Sequence, residues 1–271
     1  MQPIAELGRR TVYGVAEFGD FCRFCGRTFL WVFQGAFRWR SVRLLFPQMY
    51  EIGTRSIPVV MITGAFVGMV LAVQTIVQFK AIGLVARMGS IVNLSVLREL
   101  GPVLTGVMLA GRVGGGFTAE LGTMRVTEQI DALRAMGADP IRVLVAPRFA
   151  ACVLLIPVLV IYADVMGILG GYVVSVYVYG VNAAEFWHHA TQKVRCFDIF
   201  YGPIKSVFFG AVISLIGCYK GFRCAPGAAG VGRACTQGFV ASCMAILALN
   251  FFLGMLLNRI EEALGWVRFI W

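Results

Sequence analysis

Five polar side chains stand alone within long apolar runs: Gln74, Gln78, Glu99, Lys205 and Asn250. A carboxylate, an ammonium and amides dispersed in hydrocarbon suit the head group of an amphiphile, whose acyl chains would lie against neighbours such as Val67 and Leu71. Simpler duties fit the same residues. Gln74 and Gln78 share a helix face and can hydrogen-bond a neighbouring helix, and the Lys205 ammonium can snorkel to the membrane surface. Nothing resembles a catalytic centre. There is no Ser/His/Asp or Cys/His arrangement, no close carboxylate pair in a polar stretch, and no GxxxxGK[ST] phosphate loop. Cys22 and Cys25 form a single CxxC with no second pair and no nearby histidine, and read as small apolar residues rather than metal ligands. His188 and His189 lack ligand-spaced companions. Neither a metal nor a cofactor is expected.

Charge recognition is concentrated elsewhere, between Ala119 and Pro147: AELGTMRVTEQIDALRAMGADPIRVLVAP. Glu120, Arg125, Glu128, Asp131 and Arg134 alternate there with an apolar stripe at Leu121, Met124, Ile130 and Leu133. Thr127 followed by Glu128 can begin a new turn, and Gly137 with Pro140 can end it. One or two short amphipathic helices are expected, clamped at both ends by hydrophobic spans. Such a projection is either a solvated surface loop or a docking element for a soluble partner.

The elements that must position these residues follow from composition. The chain has 271 residues, of which 59% are hydrophobic and 14% charged, and its mean hydropathy is +0.79. A soluble domain is about half apolar and a quarter charged, so an all-α polytopic membrane protein is expected. Charge-free runs of about 20 residues, the length a bilayer requires, predict five spans at 57–79, 91–117, 149–179, 199–219 and 237–257. Residues 1–56 form a cytoplasmic N-terminus and an amphipathic interfacial (elbow) helix, and residues 57–271 the five-span domain, with the polar insert 119–147 between its second and third spans. In the segment from Phe21 to Phe46, Arg23, Arg27, Gln34 and Arg38 fall in one sector opposite Phe21, Cys25, Phe29, Val32 and Ala36. Its arginines make a membrane crossing costly, so it should lie in the interface, ended by Pro47. Gly64, Gly68 and Ala72 predict a close-packing ridge on the first span. Adjacent Arg98 and Glu99 cannot share one helix face and must find partners on other helices or in water. Asp164, an intramembrane carboxylate, fits a structural or a functional duty equally, and 180–198 reads as an outer loop.

The net charge of +10 reports topology and anionic lipid before nucleic acid. Eight basic residues precede the first span, five lie in or beside the central insert and three follow the fourth span, against six on the opposite side. The N-terminus is therefore expected inside and the C-terminus outside.

The run ELGTMRVTEQIDAL, preceded by RELGPVLTGVMLAGRVGGG and followed by AMGADPIRVLVAPR, resembles the MlaE family. These are permease subunits of ABC transporters that act with MCE-domain proteins in phospholipid trafficking across the envelope of double-membraned bacteria. The similarity extends over most of 46–257, and the D-A-L-x-x-M-G-x-x-P pattern also looks like the coupling loop of ABC importers. The resemblance implies an inner-membrane homodimer, a pair of cytoplasmic ATPases that hydrolyse ATP on the permease's behalf, a STAS-domain accessory protein, and a periplasmic MCE-protein ring, together maintaining outer-membrane lipid asymmetry. It makes Glu120 to Met136 the coupling helix, with Glu128 and Asp131 foremost in contact with the ATPase. It places Glu99 and Lys205 in the lipid pocket, and Asn250 where some relatives carry an acidic residue. Another hydrophobic substrate, such as a sterol, would suit the same architecture. A lipid-modifying enzyme would need a clustered catalytic set, and an ion-coupled carrier a proton relay, of which Asp164 is the sole hint.

Overall fold

The computed structural model describes residues 2–35, 39–81 and 88–263, and no strand occurs among them. The helices are α1 (Gln2–Gly35), α2 (Trp39–Ile52), α3 (Ile57–Ala81), α4 (Gly89–Val126), α5 (Gln129–Ala135), α6 (Ile141–Val178), α7 (Ala183–Lys193), α8 (Cys196–Phe222) and α9 (Ala228–Ala263). Five of these, α3, α4, α6, α8 and α9, are long and apolar enough to cross a membrane. The chain is an all-α polytopic membrane protein.

Helix α8 runs through the middle of the bundle, with α6 on one side and α4 and α9 on the other. Small residues set these spacings. A methyl group on Gly217 would stand 2.8 Å from the Gly114 carbonyl oxygen, and one on Gly210 2.8 Å from that of Cys152. On α3 the Gly64 and Gly68 ridge lies directly against the backbone of α6 at Ala163 and Gly167, the close approach that small residues permit in lipid. Leu109, Ile156, Leu159, Phe209, Ile213 and Ile246 fill the buried core between the spans.

Helices α4 and α6 are each 38 residues long, about 57 Å at ~1.5 Å per residue, so both outrun a bilayer. The expected end of the second span at Phe117 is therefore not a helix end. The helix continues through Glu120 to Val126, because Leu121 and Phe117 stay buried against α8 and keep the turn apolar on one side. Both helices also contain wide, π-type turns, at Val96–Leu100, Ala110–Gly114, Ile141–Val145 and Val174–Val178. Such turns shift the helix face within an otherwise continuous element.

Three local expectations need correction. Helix α1 begins at Gln2, well before Phe21. Pro47 does not end the elbow but lies inside α2, where packing of Leu45, Met49 and Ile52 against the bundle outweighs the hydrogen bond a proline removes. Segment 180–198, expected as an outer loop, contains α7, capped by the Asn182 side chain, which accepts from the Ala184 amide at 2.9 Å. Its Phe186 and Ala190 are buried against Ile76 and Val92. Ala36 and Arg38 lie outside the described residues.

Helix α1 presents Phe21, Phe24, Cys25, Thr28, Trp31 and Val32 to the bundle, with the Phe21 and Phe24 rings edge-on to Tyr219. Cys25 serves this packing: burial first, and then the neighbouring Cys22, push its thiol up to about 11.

Candidate functional site

The turn Val96–Leu100 carries Arg98 and Glu99, and each finds its partners on α8 and α9. Lys205 has no exposed surface. Its ammonium donates to Glu99 Oε1 at 2.8 Å, to Asn250 Oδ1 at 3.1 Å and to the Arg98 carbonyl at 3.1 Å, and stands 4.5 Å over the Tyr201 ring. The second carboxylate oxygen of Glu99 accepts from Asn250 Nδ2 at 2.9 Å. Asn250 thus accepts from the cation and donates to the anion. An ionised carboxylate in its place could only accept, and would add a negative charge that the amide leaves out.

Arg98 points the other way. Its Nε donates to Asp198 Oδ1 at 2.6 Å and its terminal nitrogen to Glu261 at 3.1 Å, and Asp198 Oδ2 in turn caps α8 by accepting from the Arg195 amide at 2.8 Å. The Tyr201 hydroxyl lies 3.1 Å from both the Gly254 carbonyl and Asn258 Oδ1, and donates to one of them. With the Arg195 guanidinium 3.9 Å from Glu261, three cations face three carboxylates in a network that ties three spans together. Around Lys205 the open face is the Glu99 side chain, 47% exposed although its partner Lys205 is wholly covered. A half-exposed carboxylate with an amide and an ammonium behind it can meet a polar head group without leaving a buried charge unpaired.

Of the seven residues the sequence singled out for lipid, Glu99, Lys205 and Asn250 meet here. The other four lie along α3, which packs against α6 and α4 rather than α8 and α9. Val67 lines a shallow niche with Val96, Leu100 and Leu104, Leu71 packs against the cluster around Val92 and Phe186, and Gln74 and Gln78 are exposed. Sequence reasoning did not place Asp198, Tyr201, Asn258 and Glu261 in the network. The available signal was Arg98, a buried-sequence cation that must be neutralised by a carboxylate elsewhere. Asp164 is buried where α4, α6 and α8 cross, opposite Gly101 and Gly202, with Oδ1 unbonded among the described residues.

The charged projection is held firmly. At the end of α4 the Thr127 hydroxyl donates back to the Thr123 carbonyl at 2.9 Å. Glu128 then adopts a left-handed conformation, φ 60° and ψ 12°, and reverses the chain into α5. Asp131 bridges Arg125 at 2.6 Å and Arg134 at 3.0 Å, and Ile130 is buried beneath them. Glu120 pairs with the buried Arg148 at 2.6 Å. Gly137, at φ 77°, closes the unit. Asp139 accepts the Ile141 amide at 2.9 Å through one oxygen and Trp31 Nε1 of α1 at 2.9 Å through the other, and the Arg142 guanidinium sits 4.9 Å over the Trp31 ring. The projection is thereby fastened to α1 and α6. Glu128 differs from its neighbours: it is exposed and makes no ion pair among the described residues.

Five apolar spans around a buried charge network, with an ion-paired charged turn projecting beyond them, define a membrane-embedded protein. The family model described as Permease MlaE matches residues 45–256, and the chain belongs to that family. It is 37% identical to the intermembrane phospholipid transport system permease protein MlaE of Haemophilus influenzae, over 92% of this chain and 95% of that one. It is 39% identical to a probable ABC transporter permease protein of Rickettsia conorii, over 94% and 97% of the two chains. It is 38% identical to the chloroplastic protein TRIGALACTOSYLDIACYLGLYCEROL 1 of Arabidopsis thaliana, over 84% of this chain and 64% of that protein.

Proposed function

We propose that this chain is the non-catalytic permease subunit of an ABC transporter that moves phospholipid between the inner membrane and a periplasmic MCE-protein assembly. A second copy of the chain completes the pathway, a pair of cytoplasmic ATPases drives it, and a STAS-domain protein accompanies them. The observation that carries the reading is the half-open Glu99 carboxylate backed by buried Lys205 and Asn250. It is a polar foothold for a head group, set among spans whose outward faces are apolar. The relatives' names add the substrate class: the Haemophilus influenzae protein is named for intermembrane phospholipid transport.

Energy enters at the turn between α4 and α5. Closure of the ATPases displaces Glu120, Arg125, Glu128, Asp131 and Arg134 as one body, because the ion pairs around Asp131 and the Glu120–Arg148 bridge hold them together. α4 carries that motion without a break from the turn to Glu99, so the projection and the lipid foothold lie on one lever, biasing a two-state bundle. The N-terminus and the projection face the cytoplasm on the balance of basic residues. The test is the phospholipid that co-purifies with the full-length chain. Glu99→Trp fills the open face and should lower the amount of bound phospholipid, with membrane insertion retained. Unchanged lipid content removes Glu99 from the pathway.

A further inference from the structure

A cleft of about 310 Å³ opens between α1, the turn preceding α6 and the end of α8 opposite the one that carries Lys205. Four guanidinium groups line it, from Arg23, Arg27, Arg134 and Arg223, against two carboxylates, from Asp20 and Asp139. Both carboxylates are engaged: Asp20 pairs with Arg223, and Asp139 with Trp31 and the Ile141 amide. Arg134 is held by Asp131. Arg23 and Arg27, one turn apart on α1, have no hydrogen bond or ion pair among the described residues and are exposed. The cleft therefore presents uncompensated positive charge, backed by the apolar surfaces of Phe24 and Phe222.

The flank of this row distinguishes between kinds of anion. Leu30, two helical turns beyond Arg23, projects in nearly the same direction and is 61% exposed, with Phe33 beside it at 80%. A free inorganic anion would use the guanidinium groups and leave that apolar strip in water. An amphiphile uses both. Basic pockets between helices at a membrane surface suit anionic head groups, each arginine contributing about 1 kcal/mol near an anionic leaflet.

We propose that this cleft holds the head group of an anionic phospholipid from the leaflet on the coupling-turn side, with its acyl chains along Leu30 and Phe33. It is a resident lipid, separate from the one handled at Glu99 and Lys205. Because the cleft joins α1 to the turn that bears Arg134 and Asp139, its occupant braces the projection from the side opposite α4.

The full-length chain in detergent, equilibrated with equal phosphatidylglycerol and phosphatidylcholine, reports the site through native mass spectrometry of the retained lipid. Phosphatidylglycerol should be retained preferentially. The double substitution Arg23→Gln with Arg27→Gln should lower its apparent affinity by roughly thirtyfold, the Arg23→Lys with Arg27→Lys pair should keep most of it, and Arg233→Gln, at an exposed arginine outside the cleft, should leave it unchanged. Undiminished retention in the glutamine pair overturns the proposal, as does equal retention of the two lipids. An equal loss of phosphatidylglycerol in Arg233→Gln assigns the retention to general surface charge instead, and displacement by inorganic phosphate alone assigns the cleft to a free anion. Either result also refutes it.

Discussion

Lys205 is completely covered while its partner Glu99, 2.8 Å away, is 47% exposed. The two halves of this ion pair are therefore unequal in what they leave behind when removed. Glu99→Ala strands a buried ammonium with an amide, a carbonyl and the Tyr201 ring but no counter-charge, a loss of about 3–5 kcal/mol. Lys205→Met leaves a carboxylate that water reaches and that Asn250 still serves, a loss of about 1 kcal/mol. Thermal unfolding of the two detergent-purified variants should rank them in that order. The reverse order would mean that Glu99 is sealed from solvent in the working assembly.

Glu128 tests the coupling turn. As a non-glycine residue in the left-handed region it carries local strain, and Glu128→Gly should stabilise the turn by roughly 0.5–1 kcal/mol. The side chain makes no ion pair within the described residues, so its charge is available to a partner. Glu128→Lys should fold and insert normally yet lose co-purification with the ATPase. Asp131→Lys should do worse, because it also breaks the bridges to Arg125 and Arg134. Normal ATPase binding by Glu128→Lys would remove this residue from the contact.

Gly68 and Gly115 should differ sharply. A methyl group at Gly68 meets the Gly167 backbone, which cannot rotate away, whereas one at Gly115 meets nothing within 4 Å. Gly68→Ala should cost about 1–3 kcal/mol by overpacking. Gly115→Ala should be neutral or slightly favourable, by up to about 1 kcal/mol of helix propensity. Equal melting temperatures for the two variants would contradict the packing of α3 on α6.

Trp31 links α1 to the base of the projection through Asp139 at 2.9 Å. Trp31→Phe keeps the ring beneath Arg142 but removes the donor, at about 1 kcal/mol. It should weaken ATPase stimulation by the permease while leaving co-purifying phospholipid unchanged. A parallel fall in both would mean that α1 supports the whole bundle rather than the turn.

What could be read in advance and what could not divide along physical lines. Charge-free apolar runs announce spans, and five helices among the described residues are long and apolar enough to cross a membrane. The chain reversal lies at Thr127 and Glu128, and Gly137 has positive φ, because polar caps and glycines act within a few residues. The resemblance to the MlaE family also held. The partnership of Arg98 with Asp198 and Glu261 was not legible, since it joins residues 100 and 163 positions apart and depends on the face a wide turn presents. Gln74 and Gln78 look like Asn250 in sequence, yet α3 turns them outward. Nothing local distinguishes an amide aimed at a network from one aimed elsewhere. Asn182, followed by Glu185, was a legible helix start for α7 that its polar surroundings disguised as loop.

The central claim is that this subunit moves lipid only when driven from its projecting turn. The direct measurement is phospholipid transfer and nucleotide hydrolysis by the full-length chain in proteoliposomes, alone and with its ATPase. The account predicts neither activity from the chain alone and ATP-dependent transfer from the pair, abolished by Glu128→Lys. ATP hydrolysis, lipid modification or lipid transfer by the purified chain alone would contradict it.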